Sequence, residues 1–530
     1  MVRISPQIDR KASISLDNTR GIRERRAVFL GIATIAIWQM CFSYQLRFTN
    51  YFNDDLEAIA AGVFFRSLYI NQFCVHLPLQ AILSHWWIGV AGASTTANRM
   101  FVGVMNTVIE ALILLIGRRV GGLLAGSLAA VFYILMEASN WAYLNLTELP
   151  SVLFALCAVY FGLSFSRPQL RVEIARPFWF GVFLSLSFLA RLMAIPLIGC
   201  ILLLPLIGSG YLRKLRRSAL PAALGAAIPL VSTWLYFAAI GSWKALVFWS
   251  FLYNQTAKAE IQMKGWTGDL TVPTIVNTWI FVGASLAITL ICYFMALRDK
   301  RAELLRALMI CWLPALAGWI GANPSGIDLV AFHAIPAMPF LCLSLGLGVT
   351  AIWRESVFPP TELVLPLRFA TAVGALAAVL PFLQNTFRIE QDHKTDPHYE
   401  HAARIGAYIE SHTKPSDSIF VFGADPLIYV AAHRNNGTEF SIVVEYVGRL
   451  EDRMLDELKK ARPAAVVFDK TDYWHYRNIE TFPKVAAYIA QNYRESEEYG
   501  DVLMPSAEAT IPVVRTPEKP KTAPSTDAPL

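Results

Sequence analysis

The sequence predicts a polytopic α-helical membrane protein with about eleven transmembrane helices and a small C-terminal α/β domain. Of its 530 residues, 55% are hydrophobic and only 16% are charged, and the mean hydropathy is +0.43. So few charges could not solvate a soluble protein of this size. Apolar runs recur along the first 385 residues, and polar strand-and-helix patterns begin only after them.

The N-terminal segment, residues 1–26, is polar and basic, and the apolar run 27–46 that follows is long enough to cross a bilayer. No A-x-A-like cleavage site accompanies the run, so it predicts a retained span rather than a signal peptide. The other predicted spans are 100–117, 121–138, 148–166, 178–190, 192–208, 219–240, 275–297, 304–321, 329–353 and 363–384.

The charges of the connecting loops alternate along the chain. Arg118 and Arg119 follow one span, whereas the loops near 138–147 and 322–328 contain no Lys or Arg. Because cytoplasmic loops carry an excess of basic residues, we expect a cytoplasmic N-terminus and an extracytoplasmic C-terminal domain in a cell inner membrane. The net charge is only +6, and no basic tract with interleaved aromatic residues occurs, so nucleic acid is not an expected partner.

The first outer loop, residues 47–99, is half apolar. Two of its stretches, 56–69 and 77–90, resemble helices that lie at the membrane interface. The same stretches could instead form two extra spans, which would leave the sidedness of the other loops unchanged.

After the last predicted span the pattern changes to that of a soluble α/β domain, residues 386–515. Two apolar runs, 418–423 and 464–469, predict buried strands. Helical patterns occupy 399–412, 426–433, 449–461 and 482–493. The remaining residues, 516–530, are rich in Pro, Thr and Lys and predict a disordered tail.

Adjacent carboxylates, Asp54 and Asp55, come just beyond the end of the first span. Such a pair can act as a general base because the charge of one member raises the pKa of the other; the alternative is a solvated loop. Other ionisable residues predicted on the outer side are candidates for substrate binding, since charge at a membrane boundary is costly. They are Glu148, Arg66, His76, Arg99, Arg191, Lys258, Lys264 and His333.

Three of these candidates have structural alternatives. Glu148 could stabilise a helix N-terminus with Thr147 as the N-cap. Arg191 lies between two apolar runs and could either bind an anion or extend its charge to the membrane surface. His333 could be a packed polar residue.

With these residues in place, the chain resembles the GT-C superfamily of glycosyltransferases. The similarity is to the branch that uses dolichyl- or polyprenyl-phosphate sugars, which includes protein O-mannosyltransferases and the lipid A aminoarabinose transferase. Members carry an acidic pair after the first span, a K-P-P-L-like segment, an Arg opening the second span, an acid in the next outer loop and a late R-Y-x-x-P-x-x-P-like stretch. The corresponding residues here are Asp54–Asp55, His76–Leu79, Arg99, Glu148 and Phe332–Pro339.

The resemblance covers roughly residues 25–385, and the family pattern is not kept at every position. His76 stands where members have a Lys that contacts the lipid phosphate, Leu77 replaces a Pro, and Phe332 replaces an Arg. The resemblance implies that residues 27–385 form a catalytic module. It implies that Asp54, helped or replaced by Asp55, deprotonates an acceptor hydroxyl, which attacks the donor sugar with inversion. The phosphate of the donor would be held by cations from His76, Arg66, Arg191 or the loop with Lys258 and Lys264.

The implied partners are a polyprenyl-phosphate-linked sugar, membrane lipids, and a lipid, glycan or protein acceptor. No resident cofactor is expected, although Asp54, Asp55 and Glu148 could hold a divalent cation. Six of the seven cysteines lie in apolar runs without CxxC spacing, so the sequence predicts neither a disulfide framework nor a metal knuckle.

Three other functions remain open from the sequence. A secondary transporter would also have many spans, but the chain lacks the internal repeat that such transporters show. An oligosaccharyltransferase or O-antigen ligase is disfavoured because Trp86–Trp87 is not followed by the Asp of a W-W-D signature. A non-catalytic envelope-assembly protein with the same scaffold is the third.

Overall fold

The computed structural model describes residues 7–46, 53–70, 72, 74–137, 142–163, 174–204, 211–253, 272–298, 300–322, 331–353, 397–468 and 475–506. Helices occupy the positions of the first ten predicted spans, and the eleventh, 363–384, lies outside the described residues. The helices of the membrane module are α1 (Gln7–Gln45), α2 (Asn53–Val63), α3 (Leu79–Ala91), α4 (Thr95–Gly121), α5 (Leu123–Glu137), α6 (Glu148–Gly162), α7 (Ala175–Ala190), α8 (Ile195–Leu203), α9 (Tyr211–Ala239), α10 (Trp243–Val247), α11 (Val272–Arg298), α12 (Ala302–Ala322) and α13 (Met338–Trp353).

Five of the described helices are long and apolar enough to cross a membrane by themselves. The crossing segments are Gly21–Gln45 of α1, Thr95–Gly121, Ser218–Ala239 of α9, Ile280–Arg298 of α11 and Ala302–Gly321 of α12. The other apolar helices are shorter, and they pack among these five in one continuous apolar core. The expected polytopic helical membrane fold is therefore confirmed.

Neighbouring helices at the start of the bundle run antiparallel. Glu24 of α1 pairs with Arg118 of α4 at 2.8 Å near one end, and Ser43 packs on Gly103 near the other. The ends of α1, α5 and α7 therefore lie together with the beginnings of α4, α6 and α8. We call this end of the bundle the loop face, and the other end the opposite face.

The predicted interfacial helices of the first loop are present with shifted ends. α2 ends at Val63, because a 3₁₀ turn follows at Phe65–Ser67 and Tyr69 adopts a left-handed backbone conformation with φ of 65°. α3 begins at Leu79 and ends at Ala91, just before Gly92, whose φ of 83° is readily adopted only by glycine. Trp86 of α3 is exposed, whereas the Trp87 indole donates to the Ala97 carbonyl at 2.6 Å.

The C-terminal α/β domain is present and contains the predicted strands and helices. Its strands form one mixed sheet in the order β2-β1-β3-β5-β4, in which β1 pairs parallel with β2 and β3, and β5 pairs antiparallel with β3 and β4. Its elements are α14 (Pro397–His412), β1 (Ser418–Val421), α15 (Leu427–Ala431), β2 (Asn435–Asn436), α16 (Glu451–Ala461), β3 (Ala465–Val467), α17 (His475–Thr481), α18 (Pro483–Asn492), β4 (Tyr493–Glu495) and β5 (Val502–Pro505).

Side chains of β1 alternate between the two faces of this sheet, as the period of a strand requires. Ile419 packs with α14 on one face, and Phe420 packs with α16 and α18 on the other. The sequence predicted β1 and β3 because both lie in short apolar runs between helical patterns. It missed β2, β4 and β5, which span only two to four residues. The predicted domain boundary at residue 386 and the predicted tail from residue 516 lie outside the described residues.

The α/β domain lies on the first loop. Leu56 and Ile59 of α2 join the apolar cluster on one face of the sheet. Phe65 and Trp249 join the cluster on the other face, where the Trp249 ring meets Phe440 edge-on at 6.1 Å. The first loop is therefore packed against the soluble domain, and this contact fixes α2 at the loop face.

Close packing of α7 against α9 depends on two glycines. A Cβ added at Gly181 would overlap the Ala222 carbonyl oxygen, and one added at Gly225 would overlap the Phe178 carbonyl oxygen. Backbone atoms cannot move aside as a flexible side chain can, so the two helices would have to separate.

We expect Gly181→Ala to lower the free energy of unfolding by about 1–3 kcal/mol, because overpacking a close contact costs this much. Thermal unfolding of the detergent-purified protein measures the change. Gly199→Ala in α8 is the control, since no atom lies within 4 Å of the added Cβ and alanine favours a helix. Equal melting temperatures for Gly181→Ala and the parent protein would contradict the packing argument.

Candidate functional site

The predicted acidic pair lies in the first turn of α2. The backbone of Asp54 and Asp55 belongs to this helix, while their side chains lie outside what the structure describes. A helix N-terminus favours negative charge, so the position suits a pair of ionised carboxylates. Because Leu56 and Ile59 of the same helix pack on the α/β domain, the first turn has a fixed place at the loop face.

Glu57, also in the first turns of α2, is buried close to Cys74. Burial raises the pKa of the Cys74 thiol well above its usual value, and the charge of Glu57 raises it further. Cys74 is therefore kept as a neutral thiol rather than a nucleophile.

His76 and Arg66, two of the predicted phosphate-binding residues, belong to one folded segment of the first loop. The His76 carbonyl accepts hydrogen bonds from the Tyr69 hydroxyl at 2.5 Å and from Ser250 Oγ at 3.0 Å. Arg66 lies in the 3₁₀ turn beside Phe65, whose ring stacks on His85 at 5.1 Å. Arg66 is exposed and His76 is half-buried, so both side chains lie at accessible positions on this segment.

A buried ion pair at the loop face joins Glu148 and Arg191. Glu148 is the first residue of α6, Arg191 directly follows α7, and both side chains are buried in an ion pair. Arg191 Nη1 also donates to Thr147 Oγ1 at 3.1 Å, and Thr147 Oγ1 donates to Glu148 Oε2 at 3.1 Å. Nothing in the sequence indicated that Glu148 and Arg191 pair with each other.

The structure decides between structural alternatives that the sequence left open for Thr147 and Arg191. Thr147 is not an N-cap, because its backbone is helical and its side chain makes no capping bond; its hydroxyl contacts the Glu148 carboxylate instead. Arg191 does not extend to the membrane surface, because its charge is neutralised inside the bundle by Glu148. Roles of both residues in substrate binding stay predictions.

Arg99, predicted to open the second span, lies in the first turns of α4 and is 1% exposed. Its Nη1 donates to the Tyr143 carbonyl at 3.1 Å, and its guanidinium lies 5.8 Å from the Tyr143 ring centroid. Beside it, Asn145 Nδ2 donates to Asn98 Oδ1 at 2.7 Å, and Gln80 Nε2 donates to the Asn145 carbonyl at 3.1 Å. Arg99 therefore helps to hold the segment 142–147 on the bundle.

Two carboxyl groups that the sequence analysis missed lie inside the bundle below this segment. Gln39 Nε2 of α1 donates to Glu110 Oε1 at 2.5 Å and to Glu137 Oε2 at 2.6 Å. Asn106 Nδ2 donates to Glu137 Oε1 at 2.5 Å and to the Ala142 carbonyl at 2.9 Å. The four polar side chains are almost fully buried and join α1, α4 and α5 to the loop face. Their presence within predicted apolar spans was the signal that could have identified them.

The structure says less about the three remaining candidates. His333 lies half-buried in the short turn Ala331–Ala334 before α13, and Lys258 and Lys264 lie outside the described residues. Among the described side chains, which do not include those of Asp54 and Asp55, no group of three His, Cys, Asp or Glu residues could hold a metal ion.

We expect Arg191→Met to lower the free energy of unfolding by about 3–5 kcal/mol, because it leaves the Glu148 carboxylate buried without its partner. The double variant Glu148→Gln/Arg191→Met should lose much less than the two single variants added together. Thermal unfolding of the parent protein, the two single variants and the double variant gives the coupling free energy between Glu148 and Arg191. Additive losses would contradict a buried ion pair.

We also expect Gln39→Leu to destabilise the protein, because each buried carboxyl group loses a hydrogen-bond donor, a loss worth about 1–3 kcal/mol apiece. Adding Glu110→Gln to Gln39→Leu should recover part of the stability, since an amide costs less to bury than a carboxylate. Ile37→Leu, an exposed position on the same helix, is the control. Melting temperatures that are the same for Gln39→Leu and Ile37→Leu would count against the network.

The fold matches solved membrane-protein structures at low sequence identity. No family model matches the sequence, and no curated protein does. ArnT from Cupriavidus metallidurans in the apo state is 13% identical with a TM-score of 0.56, and the match covers 92% of this chain and 100% of that chain. ArnT bound to undecaprenyl phosphate gives a TM-score of 0.53 at 13% identity, covering 91% and 98%.

A tethered acceptor-peptide structure of the Archaeoglobus fulgidus oligosaccharyltransferase is also 13% identical, with a TM-score of 0.53, covering 90% of this chain and 74% of that chain. Both neighbours have the GT-C fold. The sequence motifs predicted this fold, and the match along the whole of ArnT confirms it.

Proposed function

We propose that the protein is an integral-membrane glycosyltransferase that moves a sugar from a polyprenyl-phosphate donor to an acceptor hydroxyl at the loop face. The observation that carries the proposal is the fold match along the full length of ArnT. The structure of ArnT bound to undecaprenyl phosphate supports a lipid-phosphate carrier as the donor class here. The acidic pair at the start of α2 supplies the chemistry that such a transfer needs.

In this mechanism Asp54, helped or replaced by Asp55, takes the proton of the acceptor hydroxyl. The acceptor oxygen attacks the anomeric carbon of the donor sugar, the bond from that carbon to the phosphate oxygen breaks, and the configuration inverts. The lipid phosphate leaves with the bonding electrons. Such a base is typically worth about 10²–10⁴-fold in rate.

The leaving phosphate gains negative charge, so cations at the loop face stabilise the transition state. Arg66 and His76 are the described candidates with accessible side chains on the first loop. Arg191 and Arg99, which are buried and bonded to Glu148 and to the Tyr143 carbonyl, stay in the proposed substrate-binding set together with Glu148. Lys258, Lys264 and His333 complete the proposed substrate-binding set.

The reaction as proposed uses no resident cofactor. The alternative from the sequence, a divalent cation held by oxygen ligands near Asp54 and Asp55, is compatible with the same fold. Either way, the carboxylates act at the loop face.

The proposed orientation places the loop face and the α/β domain outside the cytoplasm, as in a periplasmic arrangement at the cell inner membrane. It rests on the charge of the opposite face, because basic residues concentrate at the cytoplasmic ends of spans. The described basic residues at that face include Arg118, Arg119, Arg298, Lys300 and Arg301.

We expect Asp54→Asn to lower sugar transfer by about 10²-fold or more, because an amide cannot accept the proton. The assay follows release of lipid phosphate from a labelled polyprenyl-phosphate sugar by the purified protein. Asp55→Asn tests which carboxylate is the base, and Asp456→Asn, an exposed site in the α/β domain, is the control.

Expression and membrane insertion should not change in any of these variants. Unchanged turnover in the double variant Asp54→Asn/Asp55→Asn would remove the base assignment. Solute flux in proteoliposomes without donor consumption would favour a transporter, and neither activity would favour a non-catalytic scaffold.

A further inference from the structure

Four buried polar side chains join α1, α4 and α5 inside the bundle, and we call them the carboxyl cluster. They are Gln39 of α1, Asn106 and Glu110 of α4, and Glu137 at the end of α5. Each is at most 2% exposed, and residues next to them on the same helices belong to the apolar core. The proposed transfer reaction makes no use of this cluster.

The two carboxyl groups of the cluster lie close together without a cationic partner in the described part of the chain. Glu110 and Glu137 contact the same amide nitrogen, Gln39 Nε2, at 2.5 and 2.6 Å. No described Lys, Arg or His side chain pairs with either of them, and residues 138–141, which follow Glu137, include none of these types. Two ionised carboxylates repel each other and lose their hydration in an apolar bundle, so their charge has to be compensated.

The hydrogen bonds distinguish the two carboxyl groups. The Gln39 amide donates to Glu110 Oε1 and to Glu137 Oε2, and the Asn106 amide donates to Glu137 Oε1 and to the Ala142 carbonyl. Both oxygens of Glu137 therefore accept hydrogen bonds, which favours the ionised form of this carboxyl group. A proton on Glu110 would remove one charge and leave the charge of Glu137 uncompensated.

Several oxygen atoms of the cluster have no hydrogen-bond partner among the described residues. They are Glu110 Oε2, Gln39 Oε1 and Asn106 Oδ1. The buried Tyr133 hydroxyl also has none, and it lies one turn before Glu137 on α5, where it interacts electrostatically with both carboxyl groups. Carboxylate and amide oxygens are the ligands that Ca²⁺ and Mg²⁺ prefer in proteins. A cation of this kind compensates charge and occupies several unpartnered oxygens at once.

We propose that the carboxyl cluster binds a divalent cation of the Ca²⁺ or Mg²⁺ class. Its ligands are Glu110 Oε2, Gln39 Oε1 and Asn106 Oδ1, with the Tyr133 hydroxyl as a fourth oxygen. Glu137 acts through Gln39 and Asn106, because it accepts from their N–H groups and so strengthens their oxygens as ligands. The two positive charges of the ion balance the two carboxylates.

The bound cation has a structural consequence for the loop face. It joins three helices through side chains that otherwise share only the hydrogen bonds of Gln39 and Asn106. Because Asn106 also donates to the Ala142 carbonyl, the ion stiffens the start of the segment 142–147. Two of the side chains that would bind the ion are neutral amides, so the site differs from one at Asp54 and Asp55.

Thermal unfolding of the full-length protein in a non-ionic detergent tests the proposal. The protein is treated with a chelator and desalted, and CaCl₂, MgCl₂ or NaCl is then added at one fixed ionic strength. We expect Ca²⁺ or Mg²⁺ to raise the melting temperature in a saturable way, because a ligand that binds only the folded state stabilises it. We expect Na⁺ to give no such rise. Metal analysis of the loaded and desalted protein should find the divalent ion retained.

Variants locate the bound ion. Glu110→Gln removes a charged ligand, so it should raise the half-saturating concentration by at least the roughly 10–100-fold that the loss of an outer-shell partner costs. Glu303→Gln is the matched control, because it makes the same change at an exposed position of α12. Tyr133→Phe keeps every charge and the aromatic ring, and it should also weaken binding. Gel filtration shows whether each variant is folded.

Three results would overturn the proposal. One is a melting temperature that no divalent cation changes and that responds only to pH, since a protonated Glu110 would then neutralise the cluster. Another is the same half-saturating concentration in Glu110→Gln, Tyr133→Phe and the Glu303→Gln control. The third is a response to Ca²⁺ or Mg²⁺ that disappears in Asp54→Asn/Asp55→Asn and persists in Glu110→Gln, which would assign the ion to the acidic pair.

Discussion

Every polar group inside a lipid-embedded bundle must find its partner within the protein, and the buried ion pair between Glu148 and Arg191 shows how this chain meets that constraint. Neither charge could be kept at this depth alone, because an unpaired buried ion costs several kcal/mol. By joining the start of α6 to the end of α7, the pair fixes two helix ends at the loop face. Gln39 fixes α1, α4 and α5 in the same way by donating to two carboxyl groups.

These contacts give the first loop a rigid base. The segment 142–147, held by Arg99 and Asn106, covers the bundle below the loop. From the other side, the α/β domain packs on α2 through Leu56 and Ile59. The α/β domain therefore holds the helix that carries the proposed general base, and a fixed position is what such a base needs. The soluble domain thus has a structural part in the proposed site.

Much of this architecture is readable from the sequence because hydropathy dictates it. A run of apolar residues in a membrane has few options other than a helix. In the α/β domain, the hydrophobic residues of the β1–α15 and α16–β3 segments recur with the periods of a strand and of a helix. Long-range pairings are not readable in this way. Glu148 and Arg191 are 43 positions apart by their numbers, and Gln39 lies still farther from Glu137. Only the packing angle of the helices decides which buried polar group meets which, and a single sequence carries no direct signal of that angle.

The account requires that the lipid phosphate bind at the loop face, next to the first turn of α2. A structure of the protein in lipid nanodiscs with a polyprenyl phosphate bound tests this most directly. We expect the phosphate to lie within reach of Arg66 or His76, with the Asp54 and Asp55 carboxylates facing the same space. A phosphate bound only at the opposite face, or an acidic pair turned away from any space open to the bilayer, would contradict the account.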